Sequence, residues 1–331
     1  MKKYYRHLWI LLPALGMLAL ILDSRTAMNG ATEGVALCIR TVIPSLLPFF
    51  VLSSLIISGF SGHKISFLSP MERICGIPKG QGALFLLGLL GGYPIGAQGV
   101  YHAWKTGQLK LPTAKRMLGF CSNSGPSFIF GIAASLFYDK SIGMILWMIQ
   151  IISALLVGVL LPSKEITHKS TKSMVRPLKT DILLNSIKAL TMVCGWVVLM
   201  RVLIAFTQRW FLWMLPQTAA VAITGLLELA NGCCDLINIP TESVRFILCC
   251  AMLSSGGICV LIQTLSVTKE LGIGWYIPGK LLQSSISIII STLIAPILFH
   301  ENGINLYPFL CISVVEMAIF ILWCRINKKN G

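Results

Sequence analysis

The chain has 331 residues, of which 55% are hydrophobic and only 12% are charged, and its mean hydropathy is +0.80. That composition excludes a soluble globular domain and indicates an integral membrane protein. The formal net charge of +15 does not indicate a nucleic-acid partner, because the basic residues gather in short loops between apolar segments, where they orient a protein in the bilayer.

Windows of about 20 mostly apolar residues favour membrane-spanning helices over a β-barrel. We predict an all-α membrane protein with about eight transmembrane helices plus two re-entrant hairpins in an inverted-topology repeat. The predicted crossings are 7–22, 36–60, 114–138, 141–162, 182–207, 243–268, 276–299 and 305–326.

The first predicted helix follows Lys2, Lys3 and Arg6, and no small-residue cleavage site follows it before Asp23. We therefore expect a retained helix rather than a signal peptide. With the N-terminus in the cytoplasm, the eight crossings place the basic segments 63–79, 105–116 and 164–179 on the cytoplasmic side, together with the C-terminus. The outer side receives 23–33, 139–140, 235–242 and Glu301.

Two apolar stretches, 80–100 and 211–236, are too short to span once they break. The first breaks at Gly91-Gly92-Tyr93-Pro94, and the second is predicted to break around Asn231-Gly232. Both are expected to be re-entrant hairpins in the membrane.

Each half of the chain repeats the same order: a crossing, a hairpin, a broken crossing and another crossing. The loop charges make the two units inverted, an arrangement typical of secondary transporters. The predicted segments are an N-terminal helix and outer loop (1–35), a first transporter repeat (36–162), a basic cytoplasmic linker (163–181), a second inverted repeat (182–299), and a C-terminal transmembrane helix with a basic tail (300–331).

Five helix-weakening residues, 122–126, interrupt the predicted crossing at 114–138, and 254–257 interrupt the one at 243–268. Pro126 suits the first turn of a new half-helix, which Asn123 or Ser124 can cap. The first N–H groups of such a half-helix lack partners and favour anions. Gly, Ser and Pro can also serve only packing or a kink, but matched clusters in both halves favour a binding site.

Residues at the two breaks and the two hairpin tips are the candidates for substrate binding. Tyr93 is a stacking ring or a packing aromatic, and Glu228 is either a site carboxylate or a group that couples transport to an ion or proton. The candidates are Tyr93, Gln98, Ser122, Asn123, Ser124, Gly125, Glu228, Asn231, Ser254, Ser255, Gly256 and Gln263.

Arg40 and Arg201 lie at comparable places in the two halves and can neutralise an anionic substrate. The preferred alternative is that they reach the interface or pair with Glu316.

No catalytic or metal-binding pattern stands out, and the eleven cysteines have no metal-type spacing. We expect a protein that is not an enzyme and has no cofactor. The sequence leaves open Na⁺ or H⁺ as a coupling ion and a homo-oligomer as the assembly. The expected partners are the lipid bilayer and a small anionic molecule.

Four stretches resemble the YlbJ-type sporulation integral membrane proteins, which carry the nucleoside-recognition, or Gate, domain. They are "TVIPSLLPFFVLSSLIISG" (41–59), "GLLGGYPIGAQ" (88–98), "AKRMLGFCSNSGP" (114–126) and "GGICVLIQ" (256–263). Members resemble concentrative nucleoside transporters, and the family includes a protein implicated in moving dipicolinic acid across the outer forespore membrane. The resemblance implies an endospore-forming bacterium, that membrane and a small organic anion as cargo.

The leading hypothesis is thus a secondary transporter or facilitator of a small organic anion, dipicolinic acid above all. The alternatives are a nucleoside transporter and a membrane scaffold for spore-envelope assembly that transports nothing.

Overall fold

A computed structural model describes residues 2–60, 66–162, 182–301 and 305–329. Within these ranges all regular structure is helical, as predicted. The predicted basic linker, 163–181, lies outside the described residues.

The α-helices share a strongly apolar composition but differ widely in length. In chain order they are α1 (Lys2–Leu22), α2 (Ser24–Leu37), α3 (Ile43–Phe60), α4 (Ser69–Ile74), α5 (Gly82–Gly91), α6 (Ile95–Lys105), α7 (Leu111–Met117), α8 (Pro126–Gly131), α9 (Ser141–Leu160), α10 (Ile182–Trp210), α11 (Gln217–Leu227), α12 (Leu229–Asp235), α13 (Glu242–Ser255), α14 (Gly257–Thr268), α15 (Tyr276–Phe299) and α16 (Tyr307–Lys329).

Six helical segments of the described chain are long and apolar enough to cross a membrane. They are Ser24–Ile56, Ser141–Leu160, Ile182–Trp210, Glu242–Thr268, Tyr276–Phe299 and Tyr307–Ile326. The last five match predicted crossings closely, because their apolar runs begin and end at polar or helix-breaking residues that are visible in the sequence.

The stretch predicted as an outer loop, 23–33, forms the helix α2 from Ser24 onward, so it is helical rather than an irregular loop. Asp23 accepts a hydrogen bond from the backbone N–H of Thr26 at 3.2 Å, which caps the start of α2. A π-helical turn, Cys38–Val42, then joins α2 to α3. The helix packs on α10, where a Cβ added at Gly34 would lie 2.9 Å from Val198 Cα. The polar composition of α2 favoured a loop, because α10, on which the helix packs, is remote in sequence and no local pattern indicates the contact.

In the first half of the chain, α5 and α6 pack against each other in antiparallel directions around small residues. A Cβ added at Gly96 would lie 2.7 Å from Gly88 Cα, so glycine permits the close approach of the two backbones. The helix ends at Gly91 and Ile95 confirm the predicted break between them.

The broken segment that follows packs on this helix pair. The chain leaves α7 at Met117 and re-enters a helix only at Pro126, which occupies the first helical turn as predicted. The N-cap residue is Gly125 and makes no side-chain capping hydrogen bond, so the predicted capping by Asn123 or Ser124 is wrong. A Cβ at Gly88 would overlap the carbonyl oxygen of Cys121, which places the hairpin directly against the broken backbone.

In the second half, α11 and α12 form the corresponding pair, but their break lies at Glu228. The predicted break around Asn231-Gly232 is wrong, since both residues lie within α12. Gly232 instead admits a neighbouring helix, because a Cβ there would lie 2.7 Å from the backbone nitrogen of Gly225. At position 232, glycine serves close packing rather than the end of a helix.

The second broken segment is α13–α14. Helix α13 ends at Ser255, and Gly256 adopts a left-handed conformation with φ +73° before α14 begins at Gly257. This confirms the predicted break, and its left-handed backbone favours glycine.

The core forms where α13 and α15 pack along each other and α9 packs on both. Buried apolar side chains such as Phe246, Leu253 and Ile288 fill the space between them. Both breaks therefore lie in the protein interior, with α9 and α15 beside them.

Candidate functional site

A partly open cavity lies where the two broken segments meet, with about 500 Å³ of space not filled by atoms, a volume that includes the open solvent at its mouth. Apolar side chains of α3, α10 and the start of α8 form much of its wall, among them Leu46, Phe50, Phe128, Val193 and Val197. An apolar wall with a few polar groups is typical of small-molecule sites.

Few polar side chains line the cavity. They are Tyr93, Ser124, Ser127, Glu228 and Gln263. Four of these five were predicted from sequence, and the structure brings them together from both halves of the chain. Gly125, at the first break, also lines the cavity.

Glu228 is a buried carboxylate that bridges the two helices of the second hairpin. Its Oε1 accepts a hydrogen bond from the backbone N–H of Ala230 at 3.0 Å. Its Oε2 accepts two bonds of 2.7 Å, from the backbone N–H and the side-chain Nδ2 of Asn231. Glu228 thus caps α12 while also facing the cavity, and Asn231 contributes through Glu228 rather than by lining the cavity itself.

Tyr93 and Ser124 connect the first half of the chain to the end of α13. The Ser124 hydroxyl donates to the carbonyl oxygen of Leu253 at 2.8 Å. The Tyr93 hydroxyl lies 3.4 Å from the carbonyl oxygens of both Leu253 and Ser254. These donors satisfy carbonyls that a helix end leaves without intrahelical partners. Gly256 makes room for the ring, since a Cβ there would lie 3.1 Å from Tyr93 Cζ.

A buried polar network adjoins the first break. Asn123 is fully buried, and its Oδ1 accepts a hydrogen bond from Gln283 Nε2 at 2.9 Å. Its Nδ2 donates to the carbonyl oxygen of Phe120 at 2.8 Å. Lys280 donates to the carbonyl oxygen of Ser122. The Asn123 amide is thereby engaged within the protein.

The second break has a matching arrangement. Ser254 is fully buried, and its hydroxyl accepts a hydrogen bond from Gln150 Nε2 at 2.8 Å. It also lies 2.6 Å from the Ser287 hydroxyl. Gln283 Nε2 lies 3.2 Å from Gln150 Oε1, so the two networks join.

The networks cross between the halves of the chain. Gln150, on α9 of the first half, contacts the break of the second half, whereas Gln283, on α15 of the second half, contacts the break of the first. Polar groups buried in a membrane protein are costly unless they are fully bonded, and here they bond one another.

Other predicted residues lie outside the cavity. Gln98 is exposed on α6, and Ser255 is half-buried with its hydroxyl 3.3 Å from the carbonyl oxygen of Met252 in its own helix. Arg40 is exposed. Arg201 pairs with Glu33 at 2.5 Å, so neither the suggested pair with Glu316 nor an arginine pair at the cavity is present.

Lys280, Gln283 and Gln150 were missed by the sequence analysis. Each lies inside a segment predicted to span the membrane, where a lysine is rare and usually functional. Lys280 within 276–299 was the signal that could have been used. The two glutamines are weaker signals, because uncharged polar residues also serve packing between helices.

The fold and the site together define a helical integral membrane protein with a central cavity at two helix breaks. The chain is similar to the sporulation integral membrane protein YlbJ of Bacillus subtilis strain 168, with 26% identity over an alignment 251 residues long; the alignment covers 66% of this chain. The match spans 58% of the length of YlbJ. No family model matches the chain, and no solved structure matches it significantly.

Proposed function

We propose that the protein is a secondary transporter or facilitator of a small organic anion, with dipicolinic acid as its cargo during sporulation. The observation that carries the proposal is the cavity at the junction of the two broken segments. Irregular backbone at membrane depth is tolerated where it is buried or lines a cavity, and discontinuous helices at matched positions are typical of secondary transporters.

The composition of the cavity supports an aromatic cargo. The Tyr93 ring, Phe50 and Phe128 border the cavity and suit a flat ring such as pyridine. Ser124, Ser127 and Gln263 supply neutral hydrogen-bonding groups. The sporulation name of the similar protein YlbJ supports a cargo that a developing spore needs, and dipicolinate combines an aromatic ring with two carboxylates.

The proposed topology has eight crossings and two re-entrant hairpins, α5–α6 and α11–α12, with both termini in the cytoplasm. Besides the six long segments, it counts Pro13–Leu22 and the broken segment that includes Pro126–Leu136, both shorter apolar helices. The crossed bonds of Gln150 and Gln283 support an inverted repeat, because each half contributes the same residue type to the break of the other. The membrane would be the outer forespore membrane.

A nucleoside is the second candidate cargo. It is favoured by one observation: the charged side chain that lines the cavity, among the described residues, is the carboxylate of Glu228. A carboxylate repels an anion but can accept hydrogen bonds from a ribose or a base edge.

The experiment is uptake of labelled dipicolinate and, separately, of labelled uridine into proteoliposomes that contain the purified protein, with protein-free liposomes as the control. Saturable uptake of dipicolinate is expected. Uptake of uridine alone would retain the transporter and replace the cargo. Uptake of neither compound by folded protein would contradict transport by this chain and favour the scaffold hypothesis.

A further inference from the structure

Lys280 places an ionisable amine in the interior of the protein. It lies on α15, inside a segment long and apolar enough to span the membrane, and only 4% of its surface is exposed. The ion pairs found within the described ranges join Lys105, Arg201, Arg209 and Arg245 to acidic residues, and none of them includes Lys280.

The groups around the ammonium are all neutral. Lys280 Nζ donates to the carbonyl oxygen of Ser122 and to Gln283 Oε1, the latter at 2.6 Å, and it lies 3.5 Å from Asn123 Oδ1. Nζ also lies 5.2 Å from the centre of the Tyr93 ring, within range of a cation–π interaction. These dipoles can solvate an ammonium, but none of them supplies a counter-charge. A buried charge with no counter-charge is costly and is usually retained for a function.

The surroundings of Lys280 adjoin the cavity at two points. Tyr93 contacts the ammonium through its ring and also lines the cavity. Ser124, which lines the cavity, directly follows the 122–123 segment that Lys280 binds. The Tyr93 hydroxyl is held only by two long contacts of 3.4 Å. Rotation of the Tyr93 side chain would break these two long contacts and the packing of its ring, and it is the movement that would join Lys280 to the cavity.

A structural role accounts for only part of this arrangement. The Ser122 carbonyl oxygen needs a hydrogen-bond donor because the backbone is broken there. A neutral donor would suffice for that purpose, and it would avoid the cost of burying a charge. An ionisable amine offers what a neutral donor lacks, a positive charge that an anion can stabilise.

Building on the proposed function, we propose that Lys280 is the charge-recognition residue of the cavity and binds a carboxylate of the cargo once Tyr93 has moved aside. An ammonium forms strong charge-assisted hydrogen bonds with a carboxylate. The neutral atoms that now surround Nζ hold the side chain in place until the anion arrives.

Lys280→Gln is the informative variant, because it keeps a donor for Ser122 and removes the charge. The probes are dipicolinate and its neutral diamide, and the measurement is the dissociation constant of each for the purified full chain. Lys280→Gln is expected to weaken dipicolinate binding by about tenfold or more while leaving diamide binding within about twofold. Lys280→Arg is expected to restore most of the loss. Lys188→Met, at an exposed lysine on α10, is the matched control and should change neither constant.

Two outcomes overturn the inference while leaving the proposed function intact. One is dipicolinate binding by Lys280→Gln with the affinity of the wild type. The other is an equal loss of dipicolinate and diamide binding, which indicates a purely structural lysine. Should Lys280→Gln fail to fold, Lys280→Met provides the same comparison of the two probes. A wild-type protein that neither binds nor transports dipicolinate would overturn the proposed cargo itself, and with it the inference.

Discussion

Two buried basic side chains, Arg116 and Lys280, donate hydrogen bonds to backbone carbonyl oxygens. Arg116 is 4% exposed and donates to the carbonyl oxygens of Leu161, Gly76 and Gly158. It therefore ties the start of the first broken segment to the end of α9, although the sequence analysis counted it as a charge of a cytoplasmic loop. The planar guanidinium of arginine carries several N–H donors, so it can bond several carbonyl oxygens at once.

Replacing Arg116 with Met is expected to destabilise the protein, because three carbonyl oxygens lose a charged donor. The expected loss is on the order of 3 kcal/mol, seen as a melting temperature lowered by roughly 5 °C or more in detergent. Lys110→Met, at an exposed position just before α7, is the control and should melt like the wild type. Equal melting temperatures for Arg116→Met and the wild type would show that the three bonds contribute little.

At the residue scale, the sequence predicted the residues that weaken a helix but not the side chains that hydrogen-bond to them. Tyr93, Ser124 and Glu228 could be found because a Gly-Pro cluster or a carboxylate is conspicuous in an apolar run. Gln150 and Gln283 could not, since their meaning depends on a contact between α9 and α15 that no local pattern encodes.

Glycines decide where the short helices can pack. Gly88 faces the carbonyl oxygen of Cys121 and Gly96 faces Gly88, so the pair α5–α6 and the first break fit together only without side chains at these positions. The second pair uses Gly225 and Gly232 in the same way. The sequence predicted both hairpins as elements, but it misplaced the second break because a glycine that serves packing looks the same as one that ends a helix.

Gly88→Ala is therefore expected to prevent the first broken segment from docking on α5. The added Cβ would meet backbone atoms, which cannot move as a flexible side chain can, and overpacking of this kind costs about 1–3 kcal/mol or more. The measurement is the yield of monodisperse protein and its melting temperature. Gly195→Ala, on α10 with no heavy atom within 4 Å of the added Cβ, is the control. A Gly88→Ala protein as stable as Gly195→Ala would disprove this packing.

At the scale of the whole molecule, the two halves hold each other through Gln150 and Gln283. Each glutamine bonds the break of the other half. Five of the six long apolar segments were predictable from hydropathy, whereas Ser24–Ile56 begins well before the predicted crossing 36–60. The crossing of the networks was not, because it depends on how the two halves are placed in space.

The two glutamines are expected to be energetically coupled. Gln150→Leu and Gln283→Leu should each lower the free energy of unfolding. The double variant should lower it by about 1 kcal/mol less than the sum of the two single effects. Unfolding of the purified proteins, followed by circular dichroism, measures the change in the free energy of unfolding for each single variant and for the double variant. Gln150→Leu combined with Gln98→Leu, at an exposed position on α6, is the control and should be additive. Additivity of Gln150→Leu with Gln283→Leu would mean that the halves do not communicate through this contact.

The central claim is that the cavity between the two breaks holds the cargo, and it is tested most directly by filling the cavity. Val197 is 1% exposed and lines the cavity, whereas Leu199 on the same helix is 56% exposed. The measurement is equilibrium binding of labelled dipicolinate to purified, folded Val197→Trp and Leu199→Trp proteins. We expect Val197→Trp to lose binding and Leu199→Trp to bind like the wild type. Wild-type affinity in Val197→Trp would contradict the assignment of this cavity as the site.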